Sequence, residues 1–516
     1  MSSDRGNPFM NIAQMKRYKR IDPDSSSDAH PARNLLLFLD GTGKTFDSEI
    51  SNVVKLSSLA NQDPEGQLVY YQSGIGVDYG PWSVFQRARE LLDSAFAFSL
   101  STHVQDAYKW LMNHWKPGDR IYIFGFSRGA FTGRALAGML QQVGLLPAGN
   151  EESVAMAYSV YSRKADTVLV PGKETLAQGF KRTFSRDVYV HFVGVWDTVS
   201  SVGALVPRTL PFSQGSKYIR NFRQALALDE RRARYAEQPY IFDNTEPPFS
   251  EAMGSYFAVP TATCSVKEVW FAGSHSNVGG GVFPYDGDVS PALSNLSLKW
   301  MLREAVQAGL QLDHHALSTS PIFSPFYTSA QRLLDRIQSG NTTEDDEAVV
   351  QFIESCRSKS KDIDELACGV VAIAAKPGLL ATADALALRS DRLSLSIQAS
   401  NTKGKGLTTK IKALIERITQ RLVALGWWTL ELSPTIKVTW DVDGATRRWR
   451  FAANRGRGRI LPPNASLHYS VKTRLDAAKG DFSRYGNDEN VPEGNAYESL
   501  IRFRPGQSLA GVKFVE

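Results

Sequence analysis

Apolar positions along this chain gather into short unbroken runs. Asn34 to Leu39 reads NLLLFL, Val188 to Trp196 reads VYVHFVGVW, and Val266 to Ala272 reads VKEVWFA. Leu68 to Tyr71 and Arg120 to Phe126 are similar. Runs of this length without strict alternation fit strands covered on both faces of a parallel sheet. Between them the apolar spacing turns helical, over Asn52–Leu59, Arg87–Leu100, His103–His114, Ala130–Val143 and Leu293–Val306. Nearly every predicted strand runs into a polar or glycine-rich stretch. These are Asp40-Gly41-Thr42-Gly43, Gly74-Ile75-Gly76, Gly125 to Gly129, Asp197-Thr198-Val199 and Gly273 to Asn277, the last followed by Gly279-Gly280-Gly281. Strands alternating with helices in this way predict an α/β fold, a doubly wound and mostly parallel sheet.

The alternation divides the chain. Residues 1–32 are polar and read as a flexible lead-in, and 33–309 form the predicted α/β core. Residues 310–430 are helix-rich and read as an insertion, a lid or membrane-docking module. Within it, Thr408 to Leu425 is amphipathic, with Lys410, Lys412, Arg417 and Arg421 between its apolar positions, and Trp427-Trp428 follows. A basic face beside tryptophans suits an anionic lipid surface, and packing on the core with a solvated basic face is the plainer alternative. Residues 431–516 are expected to pack back on the core and to carry a β-hairpin over Lys437–Ala452, turning at Asp443-Gly444.

Composition narrows the class. The 516 residues are 42% hydrophobic and 22% charged, as in soluble globular chains. The net charge of +6 is a mild bias, compatible with an anionic surface, and no nucleic-acid partner is expected from it. Three cysteines cannot close into a disulfide framework. The first twenty residues hold no apolar run of signal-peptide type, so synthesis in the cytoplasm without a signal peptide is the expectation. The run Leu366–Ala375 is too short to span a bilayer.

The chemistry centres on Gly125-Phe126-Ser127-Arg128-Gly129. A G-x-S-x-G between a strand and a helix is a nucleophile elbow, which projects the serine hydroxyl from the sheet on a sharp turn. Serine needs a base, a carboxylate to orient that base, and donors for the oxyanion. Asp197 ends a strand 70 residues after Ser127, and His275 ends another 148 residues after it. The order Ser, Asp, His is that of α/β-hydrolases, and the carboxyl ends of parallel strands share one edge. His468 rivals His275 as base. Asp229, in an arginine-flanked stretch that reads as helical, rivals Asp197, and Asp286 and Asp288 are weaker alternatives. For the oxyanion, the predicted donors are the Arg128 N–H and the backbone of Gly41-Thr42. Gly43-Lys44-Thr45 imitates the end of a phosphate-binding loop, but the required earlier glycine is Phe38. Cysteine and histidine spacing supports no metal site, and no cofactor is implied.

With these residues placed, the chain resembles an uncharacterised α/β-hydrolase domain family that includes the type VI secretion phospholipase effectors of the first lipase class. The resemblance rests on Asp40-Gly41-Thr42, Asn52 to Leu56, Tyr71 to Gly76, Gly125 to Ala130, Gly194 to Val199, Ala225 to Arg231 and Trp270 to Gly281. It implies Ser127 as nucleophile with Asp197 and His275 as partners, and phospholipase A activity on membrane phospholipid. It also implies an antibacterial effector, carried by a secretion-apparatus spike protein into a target cell's periplasm and neutralised by a cognate immunity protein. The chain departs from the family in having Ser274 and Asn277 where acidic residues often flank the histidine.

Overall fold

The computed structural model describes residues 32–41, 50–74, 85–163, 168–170, 174–199, 210–232, 235–241, 264–281, 292–358, 363–376, 435–440, 447–452, 458–462, 464–479 and 512–515. Thr42, Gly43-Lys44-Thr45, Asp286, Asp288, the basic stretch 408–425 and Trp427-Trp428 lie outside the described residues.

The centre is a sheet of eight strands in the order β12-β11-β8-β7-β6-β3-β1-β2. In chain order these are β1 (Asn34–Leu39), β2 (Gln67–Gln72), β3 (Arg120–Phe126), β6 (Val190–Trp196), β7 (Ile219–Ala227), β8 (Ser265–Phe271), β11 (Ser466–His468) and β12 (Lys513–Val515). Every pairing in it is parallel. The unbroken apolar runs are explained by two-sided burial. In β1, Leu36 and Phe38 face one hydrophobic cluster, while Leu35, Leu37 and Leu39 face the other. A small pair, β4 (Val168–Val170) and β5 (Glu174–Thr175), and an antiparallel hairpin, β9 (Thr435–Trp440) with β10 (Arg447–Ala452), stand apart from this sheet.

Helices α1 (Asn52–Leu59), α2 (Phe85–His114), α3 (Arg128–Val143), α4 (Val154–Tyr161) and α5 (Leu176–Phe184) are followed by the short α6 (His275–Gly279) and by α7 (Leu293–Gln307). Helix α3 packs in one cluster with Phe131, Leu136 and Leu140, and α7 in the other with Leu296, Trp300 and Met301. The two stretches predicted as separate helices, Arg87–Leu100 and His103–His114, form the single helix α2, because Ser101-Thr102 between them is polar without breaking the backbone.

Strand β7 was not legible in the pattern. The stretch holding Asp229 reads as helical, but β7 ends at Ala227 and Asp229 lies in the bend beyond it. Its apolar residues Ile219, Phe222, Ala225 and Leu226 carry a helix-like spacing because polar side chains interrupt them. Those polar groups are satisfied inside the fold. Arg223 pairs with Glu304 of α7, and Gln224 bonds Glu268 of β8 at 2.7 Å and the Gln238 carbonyl at 2.9 Å.

Beyond α7 come α8 (His314–Thr319), α9 (Ser324–Ser339), α10 (Glu347–Arg357) and α11 (Glu365–Ala375). Their Leu317, Leu333, Phe352 and Val370 join the same cluster as α7. Among the described residues no helix is long and apolar enough to cross a membrane. The chain then returns to the sheet. Leu461, Leu467, Val471 and Leu475 enter that cluster, β11 adds to the edge at β8, and α12 (Tyr469–Lys479) follows it.

Candidate active site

Five strands end on the same sheet edge, and each delivers a polar group there: Asp40 after β1, Ser127 after β3, Asp197 after β6, Glu230 after β7 and His275 after β8. Ser127 has φ 57 and ψ −118, a backbone conformation that costs a non-glycine residue about 1–3 kcal/mol. The elbow is held by its glycines. A Cβ at Gly129 would lie 2.1 Å from the Leu39 carbonyl oxygen, and one at Gly125 would lie 2.7 Å from Ala130 Cα. Strand β1 and helix α3 therefore close tightly on the turn, leaving the serine as its projecting side chain.

Ser127 Oγ lies 2.8 Å from His275 Nε2, and His275 Nδ1 lies 2.5 Å from Asp197 Oδ2. The structure thus brings together the three side chains that the strand ends suggested. Asp197 is itself unusual, with φ 42 and no exposed surface. Its bend turns the carboxylate back across the strand ends, where the Ala227 N–H donates to Oδ1 at 2.9 Å.

His275 opens α6, and the neighbourhood that departs from the family pattern is a capping box. Ser274 is the N-cap, and Asn277 Oδ1 accepts from the Ser274 N–H at 3.1 Å. The imidazole sits between Phe126, with ring centroids 4.6 Å apart, and Tyr235, edge-on at 4.7 Å. Burial lowers its pKa from the usual histidine value, against the opposing pull of the Asp197 carboxylate. A neutral imidazole holding its proton on Nδ1 can take the serine's proton at Nε2.

Two contributors went unnoticed in the sequence. Arg459, from the segment that returns after the helical region, clamps Asp197 with both terminal nitrogens, Nη1 to Oδ1 at 2.5 Å and Nη2 to Oδ2 at 3.0 Å. The same nitrogens donate to the Ala227 and Tyr235 carbonyls at 2.9 and 2.6 Å. Burial pushes the Asp197 carboxyl up, but Arg459 and His275 outweigh it and hold it well below the usual carboxylate range. Glu230 is the second. Its Oε2 accepts from the His275 backbone N–H at 3.1 Å and from Arg232 Nη2 at 2.8 Å. Burial opposes its ionisation, yet the Arg232 pair brings its pKa down to about 2.

The rival residues have other partners. Asp229 Oδ2 accepts from the Gly273 N–H at 2.6 Å, fixing the loop ahead of His275. His468 lies against Ser470, with Nδ1 2.9 Å from its Oγ, and stacks on Phe271 at 4.4 Å. Of the predicted oxyanion donors, Arg128 opens α3 directly after Ser127. Gly41 packs against the Ser127 side chain, where an added Cβ would stand 3.3 Å from Ser127 Cβ. Its N–H donates to Asp40 Oδ1 at 2.7 Å, and Asp40 Oδ2 in turn accepts from Ser51 and Tyr71. Asn52 ties α1 to α6 and α7, donating to the Val278 carbonyl at 3.0 Å and the Ser294 carbonyl at 2.9 Å.

Residues 33–304 match the family described as "T6SS, Phospholipase effector Tle1-like, catalytic domain". An uncharacterized protein of Saccharomyces cerevisiae, YEL023C, is 30% identical over 592 residues, covering 92% of this chain and 82% of that protein. Among solved structures, an uncharacterized protein from Pseudomonas aeruginosa is 17% identical with a TM-score of 0.30, over 69% of this chain and 52% of that one. The Tle1 effector bound to the VgrG spike of a type 6 secretion system is 18% identical with a TM-score of 0.26, over 50% of this chain and 53% of the other. The chain therefore spans about half the length of each of these two structures.

Proposed function

The chain belongs to the Tle1-like family of type VI secretion phospholipase effectors, and on that premise we propose that it is a serine hydrolase that cleaves acyl esters of membrane glycerophospholipids. The observation that carries the reading is the contact chain Ser127 Oγ to His275 Nε2 at 2.8 Å and His275 Nδ1 to Asp197 Oδ2 at 2.5 Å. On this reading His275 takes the Ser127 proton as Oγ attacks the ester carbonyl, while Asp197 holds the imidazole in the Nδ1–H form. The tetrahedral oxyanion is met by the Arg128 N–H, at the positive end of α3, and by the backbone of Gly41-Thr42. Gly41 would exchange its bond to Asp40 to take that part. His275 then protonates the departing lysolipid alkoxide. A water activated by the same nitrogen releases the fatty acid from Ser127.

Family membership also supports delivery by a type VI apparatus, with a spike protein and an immunity protein as partners and a target-cell periplasm as the destination. The family reaches a yeast protein, so the chemistry and the delivery are separate proposals with separate tests. The division at 309 and 430, with the intervening helices as lid or docking module, is likewise proposed.

The test is fatty-acid release from phosphatidylglycerol and phosphatidylethanolamine vesicles by the wild type and Ser127→Ala. Release by the wild type alone is expected, together with labelling of Ser127 by a fluorophosphonate. Retained release by Ser127→Ala overturns the mechanism. Turnover of short soluble esters but not vesicles would replace the phospholipase by a soluble carboxylesterase, and absence of both turnover and labelling would leave a binding protein on a hydrolase scaffold.

A further inference from the structure

Arg459 stands 262 positions from the carboxylate it clamps, and it lies beyond the segment 33–304 that matches the family's catalytic domain. Its placement is nevertheless rigid. Leu461, two residues on, is 1% exposed in the cluster beneath the sheet, and β11 pairs with β8 directly after the segment. The guanidinium makes two bonds to Asp197 and two to backbone carbonyls, and Nε lies 3.4 Å from Glu237 Oε2. A planar fork whose two terminal nitrogens are each held by two oxygens has one orientation, and so has the carboxylate it grips.

We propose that Arg459 is a positioning residue of the hydrolytic site, which fixes the Asp197 carboxylate and offsets its charge as seen by His275, so that the catalytic unit is the matched domain together with the returning C-terminal segment. This rests on the hydrolase reading given above. The charges facing the imidazole come from several elements. Asp197 after β6 bonds Nδ1, and Glu230 after β7 bonds the backbone N–H, with Arg232 paired to it. Arg459 and Glu237 complete the set from the two segments beyond, while Asp229 is engaged with Gly273 in the adjoining loop. With Asp229 counted, four carboxylates face two guanidiniums, and removing Arg459 makes the surroundings of the neutral imidazole one charge more negative. The protonated imidazole is then favoured, and the base is lost at a higher pH.

The sign is consistent with the buried state. Burial lowers the His275 pKa while Asp197 raises it, and an Asp197 stripped of its counter-charge would raise it further. A structural strut would behave differently. Its loss would reduce activity at all pH values without moving the point at which activity falls off in acid.

The experiment follows the pH dependence of kcat/KM for vesicle hydrolysis, and of fluorophosphonate labelling, in the full-length chain. Wild type is compared with Arg459→Gln, which keeps hydrogen bonds but no charge, and Arg459→Lys, which keeps the charge but not the fork. In Arg459→Gln the acid limb is expected to move up by about one pH unit. In Arg459→Lys it is expected to stay near the wild-type position, with a rate reduced about ten-fold by the loss of the bidentate grip. An acid limb that stays put in Arg459→Gln, or moves equally in both variants, overturns the proposal. Should Arg459→Gln fail to give a cooperative melt, Arg459→Lys decides alone. A wild-type rate there, or a shifted limb, overturns it. A wild type that neither labels nor hydrolyses would instead refute the hydrolase reading.

Discussion

Replacing Asp197 by asparagine tests the site most sharply, because the structure determines which way the amide must sit. Four donors converge on the two carboxylate oxygens. The Ala227 N–H and Arg459 Nη1 reach Oδ1, and Arg459 Nη2 and His275 Nδ1 reach Oδ2. An asparagine has one acceptor oxygen. At the Oδ1 position it keeps the backbone donor and one arm of the guanidinium. The amide nitrogen then faces His275, which answers by becoming the Nε2–H tautomer with Nδ1 accepting. A ring donating from Nε2 cannot take the Ser127 proton. The exchange should lower kcat by about 10⁴, the scale seen when a triad aspartate is replaced in this way, equivalent to ~5.4 kcal/mol of barrier. Backbone strain is not the cause, since asparagine tolerates the Asp197 φ of 42 as well as aspartate does. Folding should also weaken. One charged hydrogen bond is replaced by two donors face to face, and the buried Arg459 keeps only Glu237, 3.4 Å from Nε, as a counter-charge, for about 3 kcal/mol. That is within reach of an ordinary domain's stability, so the variant should fold with a melting temperature lowered by several degrees. Vesicle hydrolysis, fluorophosphonate labelling and a thermal melt on one preparation give the three readings. A folded Asp197→Asn protein with more than a tenth of wild-type activity would show that Asp197 does not orient the base.

Two further outcomes follow from the same geometry. Gly129→Ala puts a Cβ 2.1 Å from the Leu39 carbonyl oxygen, and since neither β1 nor α3 can yield, a destabilisation of about 3 kcal/mol with loss of labelling is expected from a melt and a probe assay. His468 is held neutral by burial, first, and by Lys299, with its pKa pushed down to about 3. The unfolded chain binds a proton there below about 6.5, so stability is whole above that pH and falls by ~1.4 kcal/mol per unit between about 6.5 and about 3. Denaturant titrations should show a shallower acid slope in His468→Phe, and an unchanged slope would mean that His468 does not titrate as described.

The parts of this protein that the sequence made visible are those whose cause is local. Two-sided burial makes β1, β3 and β6 almost wholly apolar, and that pattern marks each of them. The elbow is legible because strand, strained serine and helix fall within ten residues, with glycines where backbones cross. His275 and Asp197 were legible at one remove, as polar residues at strand ends that a parallel sheet must bring to one edge. Strand β7 was hidden because Arg223 and Gln224 are buried polar groups whose partners, Glu304 and Glu268, lie on other elements.

Arg459 was hidden for the same reason, more severely. It stands in Arg455-Gly456-Arg457-Gly458-Arg459, which reads as a solvated basic loop. Nothing local marks the last arginine as different except the apolar Ile460-Leu461 that follows, of which Leu461 is buried and Ile460 exposed. The clue lies in the other residue, and it is one of structure and not of sequence. An aspartate with no exposed surface must be paired, since an ionised carboxylate cannot be buried alone. One imidazole satisfies a single oxygen and is itself neutral at rest. The Ala227 N–H supplies one further donor, and the charge itself is met by Arg459. β11 adds to the sheet at β8, the strand that runs into the turn before His275, and Arg459, just ahead of β11, reaches Asp197 at the end of β6, two strands beyond β8.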